Sequence, residues 1–242
     1  MKIYFVSFGS TNKYIKSINR IRQQADNMNI FNKICVYTEK DFDKKFLDKH
    51  SNFINNSKRG YGYWIWKSYF VKKTLDIMDD GDILIYADAG CTLINTPNAI
   101  KRLNQYITLC NKLDNANIGF QMCFPEKSYT KMDLFNKLDV NNETMLNSGQ
   151  LVGGIFILKK CSKIVNLINE YYDLSQDYHL IDDSKSNINN HPDFIDHRHD
   201  QSLFSLLRKK LGTILIPDET WYPDFTDSKV LNFPILATRI RM

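Results

Sequence analysis

The sequence predicts an α/β fold in which a largely parallel sheet carries helices on both faces. Short apolar segments alternate along the chain with longer amphipathic ones, and the segment 83–86 (ILIY) is apolar without interruption. A continuous apolar strand is typical of a parallel sheet that is covered on both faces. The 242 residues, 43% of them hydrophobic, suffice for one core without disulfide or metal support. We therefore expect a single domain over residues 1–242.

The individual elements follow from hydrophobic spacing and from turn residues. Ile15, Ile18 and Ile21 recur at helical spacing, and apolar residues collect on one side of 62–78 while its lysines lie elsewhere. Strands are expected at 3–8, 34–38, 82–86, 118–124, 150–158 and 213–216. Helices are expected at 14–28, 41–50, 62–78, 97–113, 161–174 and 200–210, and the polar stretch 175–199 is left irregular. Ligands bind such sheets at the carboxyl ends of the strands, so we expect the binding and catalytic residues to follow the strands directly.

The composition of the chain indicates which classes of partner to exclude and in which cell compartment the protein resides. The net charge of +5 is too small to indicate nucleic acid by itself, and no apolar stretch is long enough for a transmembrane helix. The five cysteines are scattered without a paired motif, which favours reduced thiols in a cytosol-like compartment. We expect a cytoplasmic protein (host cytoplasm if it is viral) that does not bind nucleic acid and has no transmembrane segment.

The first candidate site is Asp88, which follows the apolar strand 82–86 and precedes Gly90 by two residues. A carboxylate at a strand end can bind Mg²⁺ or Mn²⁺, because such ions take one or two carboxylates together with water and substrate phosphates. The alternative is that Asp88 only caps the turn that follows.

The second candidate is the segment 59–67 (RGYGYWIWK). Its glycines allow a sharp turn before a helix, its aromatic rings can stack on a nucleotide base, and Lys67 can reach a phosphate. The alternative for Trp64 and Trp66 is packing in the core.

Three further segments carry polar groups of possible chemical use. Asp200 begins a helix after the segment 197–199 (HRH), where a carboxylate could act as a base, whereas the histidines are either metal ligands or solvated loop residues. Gly153 and Gly154 interrupt an expected strand, which indicates close approach of a ligand or another backbone, or a bulge without function. Arg239 and Arg241 either grip a diphosphate or are solvated.

Taken in order, RGYGYWIWK (59–67), YADAG (86–90), SGQLVGGIF (148–156) and HDQS (199–202) resemble GT-A-fold glycosyltransferases. Among these the chain is most similar to the small transferases of large DNA viruses, including the amino-terminal domain of a multidomain chlorella-virus enzyme. The resemblance covers almost the whole chain. The family signature is Asp-x-Asp, whereas Asp88-Ala89-Gly90 lacks the second carboxylate.

The resemblance implies a metal-assisted transfer of a hexose or deoxyhexose from a nucleotide-diphosphate sugar, a UDP-sugar above all, to a saccharide or glycan hydroxyl. It implies Mn²⁺ or Mg²⁺ held either by Asp88 alone with water or by Asp88 together with His199 or Asp200, and catalysis by Asp200, Gln201 and Asp88. It implies a mainly nucleotide-binding half at 1–125 and a mainly acceptor-binding half at 126–242. The residues implied at the donor are Phe8, Gly9, Thr11, Arg59, Trp66, Lys67, Asp88, Ala89, Gly90, Asn147, Ser148, Gly153, Gly154, Arg239 and Arg241.

Two other functions stay open at this point. A sugar nucleotidyltransferase would share the fold, but it normally has a glycine-rich basic loop after the first strand, which the segment 9–13 (GSTNK) resembles poorly. A non-catalytic protein that binds carbohydrate or nucleotide sugars could keep the fold without the second Asp, since a fold does not determine function.

Overall fold

The computed structural model describes residues 1–112 and 116–240. A seven-stranded sheet in the order β2-β1-β3-β7-β5-β6, with β8 pairing β5, organises these residues. Its strands are β1 Ile3–Phe8, β2 Lys33–Tyr37, β3 Ile83–Ala87, β5 Asn117–Pro125, β6 Gly149–Leu151, β7 Ile155–Lys159 and β8 Ile214–Pro217. A separate pair joins β4 Thr92–Leu93 to β9 Ile235–Leu236.

Strand direction confirms the expected largely parallel sheet. β1 pairs in parallel with β2 and β3, and β5 pairs in parallel with β8. β7 runs antiparallel to both β3 and β5, and β6 runs antiparallel to β5, so five of the seven strands share one direction. The carboxyl ends of β1, β3, β5 and β8 consequently meet at one edge of the sheet.

Helices cover both faces of the sheet, as expected. Alternating side chains of β3 point to opposite faces, so Leu84 and Tyr86 join one core cluster while Ile83 and Ile85 join the other. The first cluster lies under α2, α4, α9 and α10, and the second lies under α1 and α5. The helices are α1 Thr11–Met28, α2 Lys44–Asn56, α3 Gly60–Tyr63, α4 Ile65–Asp76, α5 Pro97–Lys112, α6 Glu126–Tyr129, α7 Met132–Lys137, α8 Glu143–Asn147, α9 Ser162–Ser175 and α10 Asp200–Leu211.

Three expectations about the helices were wrong. The expected helix 62–78 is divided, because α3 is a left-handed turn and only α4 is right-handed. The expected helix 41–50 lies further along the chain, since Asp43 caps α2 by accepting from the Phe46 N–H at 2.7 Å. The short helices α6, α7 and α8 were not expected at all.

The expected strand 150–158 is broken into β6 and β7. Both pieces run antiparallel to β5, at Gln121 and Pro125 for β6 and at Asn117 and Ile118 for β7. Residues 152–154 leave the strand conformation between them, at the edge of the sheet where β3 ends. No helix among the described residues combines the length and the apolar character needed to cross a lipid bilayer.

Candidate active site

Asp88 lies directly after β3, at the carboxyl edge of the sheet. Because side chains alternate along a strand, Tyr86 and Asp88 share one face, and the Tyr86 hydroxyl donates to Asp88 Oδ1 at 2.6 Å. Burial, followed by the negative charge of Asp88, holds the pKa of Tyr86 well above its usual value, so the phenol keeps the proton that it donates. The Asp88 side chain remains 37% exposed and can meet a ligand.

Lys67 connects Asp88 to a second carboxylate. From the first turns of α4 its Nζ lies 2.6 Å from Asp200 Oδ2 and 3.5 Å from Asp88 Oδ1, and it donates to the Gly153 carbonyl at 3.1 Å. The Lys67 side chain is 3% exposed and that of Asp200 is 7% exposed. Burial lowers the pKa of Lys67, but the two carboxylates outweigh burial and raise it, so the ammonium stays charged. We call Lys67, Asp88 and Asp200 the Lys67 cluster.

Asp200 is the first residue of α10, where the helix dipole favours a negative charge. Burial nevertheless raises the pKa of Asp200 to about 6, against the opposing effect of Lys67. A carboxylate with a pKa of about 6 is mostly ionised at neutral pH and accepts a proton more readily than an ordinary aspartate. Asp200 therefore has the protonation behaviour of a general base.

Gly153 and Gly154 make room for this cluster in the break between β6 and β7. A Cβ at Gly154 would lie 2.7 Å from Asp88 Oδ2, and a Cβ at Gly153 would lie 2.6 Å from Gln201 Cβ. The Gly154 carbonyl accepts from the Asp88 N–H at 2.9 Å, and Gln201 Oε1 accepts from the Gly153 N–H at 3.0 Å. Only glycines leave space for these contacts.

The segment 59–67 turns the chain into α4 by an unusual backbone. The five residues 60–64 all have positive φ, between 50° and 86°. A Cβ at Gly60 would come within 2.4 Å of the Trp64 ring. Trp66 is buried, donates from Nε1 to the Gly60 carbonyl at 2.9 Å, and packs on Phe8 with the ring centroids 4.2 Å apart. Trp66 and Phe8 are thus core residues in this structure.

His199 is 2% exposed and faces Arg59. Arg59 Nε donates to His199 Nε2 at 2.7 Å, and burial lowers the pKa of His199 to about 3, so the ring is neutral with its proton on Nδ1. Since Nε2 is already engaged, His199 offers poor access to a metal ion. The Asp88 carboxylate, whose side chain is 37% exposed, suits a hard cation that completes its shell with water and phosphate oxygens. Among residues 1–112 and 116–240, no three His, Cys, Asp or Glu residues are grouped to hold a metal ion.

The loop after β1 lies beside the turn that follows Asp88. A Cβ at Gly9 would lie 3.5 Å from Ala89 Cβ. The Thr11 N–H donates to Glu39 Oε2 at 2.8 Å, and its hydroxyl donates to Glu39 Oε1. Glu39, which follows β2, was not singled out from the sequence.

The carboxyl-terminal segment passes over Gly90. The Gly90 carbonyl accepts from the Ile240 N–H and from the Thr238 hydroxyl, both at 3.0 Å, and the Arg239 backbone lies 3.4 Å from where a Gly90 Cβ would be. Arg239 is exposed beside the site. Arg241 lies outside the described residues.

Asn147 and Ser148 lie apart from the Lys67 cluster. Asn147 donates to Glu143, and Ser148 donates to the Met145 carbonyl and accepts from Lys209 Nζ at 2.7 Å. Their expected place at the donor stays a prediction, as do the other roles that the resemblance implies. Sequence reasoning also missed Tyr86, although its position two residues before Asp88 in a strand was the signal that could have found it.

Comparison with known proteins supports the fold. No protein-family model matches the chain, and no curated protein matches it in sequence. A solved glycosyltransferase that is involved in the glycosylation of the major capsid of PBCV-1 is similar in structure, with a TM-score of 0.54 and 10% identity. The match covers 98% of this chain and 92% of that one. The two chains share a fold, and the GT-A architecture implied by the resemblance is confirmed.

Two more distant structures match over similar lengths. Mouse xyloside xylosyltransferase 1 matches with a TM-score of 0.49 and 11% identity. The match covers 98% of this chain and 97% of that one. The galactosyltransferase LgtC matches with a TM-score of 0.47 and 10% identity. The match covers 96% of this chain and 86% of that one. At these TM-scores the two matches add nothing to the assignment.

Proposed function

We propose that the protein is a glycosyltransferase that moves a sugar from a nucleotide-diphosphate sugar, a UDP-sugar in the first instance, to a saccharide hydroxyl. The observation that carries this proposal is the Lys67 cluster, in which one ammonium joins Asp88 and Asp200 at the carboxyl edge of the sheet. Ligands of open α/β sheets bind at this edge. The shared fold with the PBCV-1 glycosyltransferase is the supporting comparison.

In the proposed reaction the bond between the anomeric carbon and the diphosphate oxygen breaks, and a bond to the acceptor oxygen forms. The nucleoside diphosphate leaves with the electron pair, and the acceptor hydroxyl loses its proton. Asp200, with its pKa near 6, takes that proton in an inverting transfer, or orients the acceptor in a retaining one. Lys67 holds the two carboxylates in place, so the reacting groups meet in a fixed geometry.

Asp88 is the residue that would hold Mn²⁺ or Mg²⁺, with the donor diphosphate and water completing the shell. Such an ion neutralises charge that develops on the leaving diphosphate. The same diphosphate would pair with Arg239, whose side chain is exposed and whose backbone lies beside Gly90. Gly9, in the loop after β1, and Thr11, the first residue of α1, are proposed to border the nucleotide base.

Thermal unfolding with nucleoside diphosphates tests the proposal. A ligand that binds only the native state raises the unfolding temperature. We expect stabilisation by UDP that increases when Mn²⁺ is added, and transfer or hydrolysis of at least one sugar in a panel of nucleotide sugars. Absence of a shift with every nucleoside diphosphate would contradict the proposal, and nucleotide binding without turnover would favour a non-catalytic binding protein.

Asp88→Asn separates the metal contribution from the rest. The variant keeps the side-chain volume but loses the negative charge, so we expect the extra stabilisation by Mn²⁺ to disappear. Asp80→Asn is the matched control, because Asp80 is exposed and precedes β3 at the opposite edge of the sheet. An unchanged response to UDP and Mn²⁺ in Asp88→Asn would show that Asp88 does not hold the ion.

A further inference from the structure

Arg198 lies at the border of the candidate active site, two residues before Asp200. Its guanidinium carbon is 3.7 Å from the centroid of the Tyr129 ring and 4.8 Å from that of Phe124. The two rings meet edge to face, with their centroids 5.5 Å apart. The backbone N–H of Arg198 donates to the backbone carbonyl of Tyr129 at 3.1 Å. We call Arg198, Tyr129 and Phe124 the arginine platform.

Within the described part of the chain, no carboxylate lies within ion-pair distance of the Arg198 guanidinium. There, the side chain of Arg198 makes one hydrogen bond, a 3.9 Å contact to the Met122 sulfur. The nearby acids are engaged elsewhere, since Asp196 lies 3.4 Å from Arg59 and Glu126 lies 2.9 Å from Lys209.

The charges around Arg198 are of both signs. Burial lowers the pKa of Arg198 and the positive charge of Arg239 lowers it further, whereas Tyr129, Asp196 and Glu126 raise it. A cation that makes no ion pair is stabilised when an anion binds beside it.

The geometry of the platform suits a sugar that carries an acidic group. A guanidinium that stacks on aromatic rings keeps its N–H edge free, and that edge matches a carboxylate or a phosphate. Phe124 is 41% exposed and offers an apolar face on which a sugar ring can pack.

The strand order separates the platform from the nucleotide. The loops proposed to border the nucleotide follow β1 and β3, whereas Phe124 belongs to β5, on the other side of β3 from β1. The Phe124 side of the platform is thus separated from the proposed base site by β3 and β7.

We propose that the arginine platform binds the acceptor, and that the acceptor is an acidic saccharide whose carboxylate or phosphate pairs with Arg198. The inference rests on the proposed glycosyl transfer, because it assigns the second substrate of the same site. It adds a substrate class and the residue that selects it.

The test compares sugars that differ only in the acidic group. Methyl β-D-glucuronide is titrated against methyl β-D-glucoside, and glucose 6-phosphate against glucose, by NMR with and without UDP. We expect at least one acidic sugar to bind about tenfold more tightly than its neutral counterpart, which corresponds to about 1.4 kcal/mol. In Arg198→Gln this preference should vanish while the affinity for UDP stays unchanged. Lys163→Gln, an exposed cation in α9 near the opposite edge, should behave as the parent protein does.

Three results would overturn the inference: equal binding of acidic and neutral sugars, a preference that survives in Arg198→Gln, or a loss of UDP affinity in that variant. The last result would assign Arg198 to the donor diphosphate instead. Because sugar binding is also measured without UDP, a protein that binds no nucleotide would contradict the proposed transfer and still give a readable result for Arg198.

Discussion

The Lys67 cluster and the arginine platform hold cations in opposite ways, although both border the same edge of the sheet. The Lys67 side chain is 3% exposed, and two carboxylates lie within 3.5 Å of its ammonium. The Arg198 guanidinium lies on aromatic rings and has no carboxylate within ion-pair distance among the described residues. The first cation is neutralised by the fold itself, and the second is left for a ligand.

This difference separates residues that the fold requires from residues that a ligand requires. Breaking a buried ion pair leaves an uncompensated charge and is strongly destabilising, whereas a partly exposed cation contributes little to stability. Substitution of Lys67 should therefore affect folding and chemistry together, while substitution of Arg198 should affect ligand binding alone.

Lys67→Met should have the largest effect. The variant keeps the side-chain length but leaves Asp200 buried without its cation, so we expect the free energy of unfolding to fall by about 3–5 kcal/mol and transfer to be lost. Urea denaturation measures the first effect. Lys163→Met, an exposed position in α9, is the control and should change stability by less than about 0.5 kcal/mol. A Lys67→Met protein as stable as this control would remove the distinction between the two regions.

Asp200→Asn should come next and should reveal the pH dependence. The proposed transfer needs the ionised carboxylate, so the kcat/KM of the parent protein should fall as the pH drops below about 6, where Asp200 gains a proton. Transfer by Asp200→Asn should be about 10²- to 10⁴-fold slower and should lack this acidic limb, while UDP still binds. Equal turnover in the variant and the parent would contradict the role of Asp200.

The same group gives a stability signature of known sign. The folded-state pKa of Asp200 is raised from 3.8 to about 6, so between these values the native state binds more protons than the unfolded state. The contribution of Asp200 to stability therefore falls as the pH rises through this window, and it is constant above pH 6. Asp200→Asn should not show this decline, and urea denaturation between pH 4 and pH 7 compares the two proteins directly.

Gly154→Ala should have an intermediate effect, because its Cβ would lie 2.7 Å from Asp88 Oδ2. We expect the free energy of unfolding to fall by about 1–3 kcal/mol and the stabilisation by UDP with Mn²⁺ to weaken. Gly81→Ala is the control for the replacement of a glycine by alanine without a steric contact, since nothing lies within 4 Å of a Cβ there. Its φ of 88° adds backbone strain to the control. If UDP with Mn²⁺ stabilised Gly154→Ala as much as it stabilises the control, the close contact between residue 154 and Asp88 would not matter for ligand binding.

Tyr86→Phe should have the smallest effect. It removes the hydroxyl that donates to Asp88 Oδ1 but leaves the ring packed on Phe156 at 4.7 Å. The expected cost is about 1 kcal/mol of stability, with a loss of transfer of about tenfold or less. A loss as large as that of Asp200→Asn would show that Tyr86 itself touches a substrate.

Much of the fold was predictable because hydrophobic spacing reports burial directly. β1 was predicted with its observed bounds Ile3–Phe8, and α10 was predicted to within one residue because Asp200 precedes an apolar helical run. In the sequence, the break in the strand at residues 152–154 was indicated only by two glycines. Its cause is the close approach of Asp88 and Gln201, which come from distant parts of the chain. A sharp turn before the helix was predicted from the glycines of 59–67, but its left-handed course through Tyr63 and Trp64 has no counterpart in hydrophobic periodicity.

The candidate site was predictable in part for the same reason. Asp88 and Asp200 were found because each lies at the end of an element with a clear pattern. The burial of Lys67 between them could not be predicted, because it depends on how α4 packs against β3 and α10. The cluster also joins the two sequence halves, since Lys67 and Asp88 come from 1–125 and Asp200 from 126–242. The division into a nucleotide half and an acceptor half stays a prediction.

The left-handed turn at 60–64 ties the position of Lys67 to local tertiary packing. Tyr61, Tyr63 and Trp64 each adopt a backbone conformation that costs about 1–2 kcal/mol outside glycine. The isolated segment therefore disfavours this turn, and contacts such as the packing of Trp66 on Phe8 offset the cost. Lys67 follows directly, so local opening of the turn would draw its ammonium away from Asp200. Amide exchange at 60–67 measures how often this opening occurs.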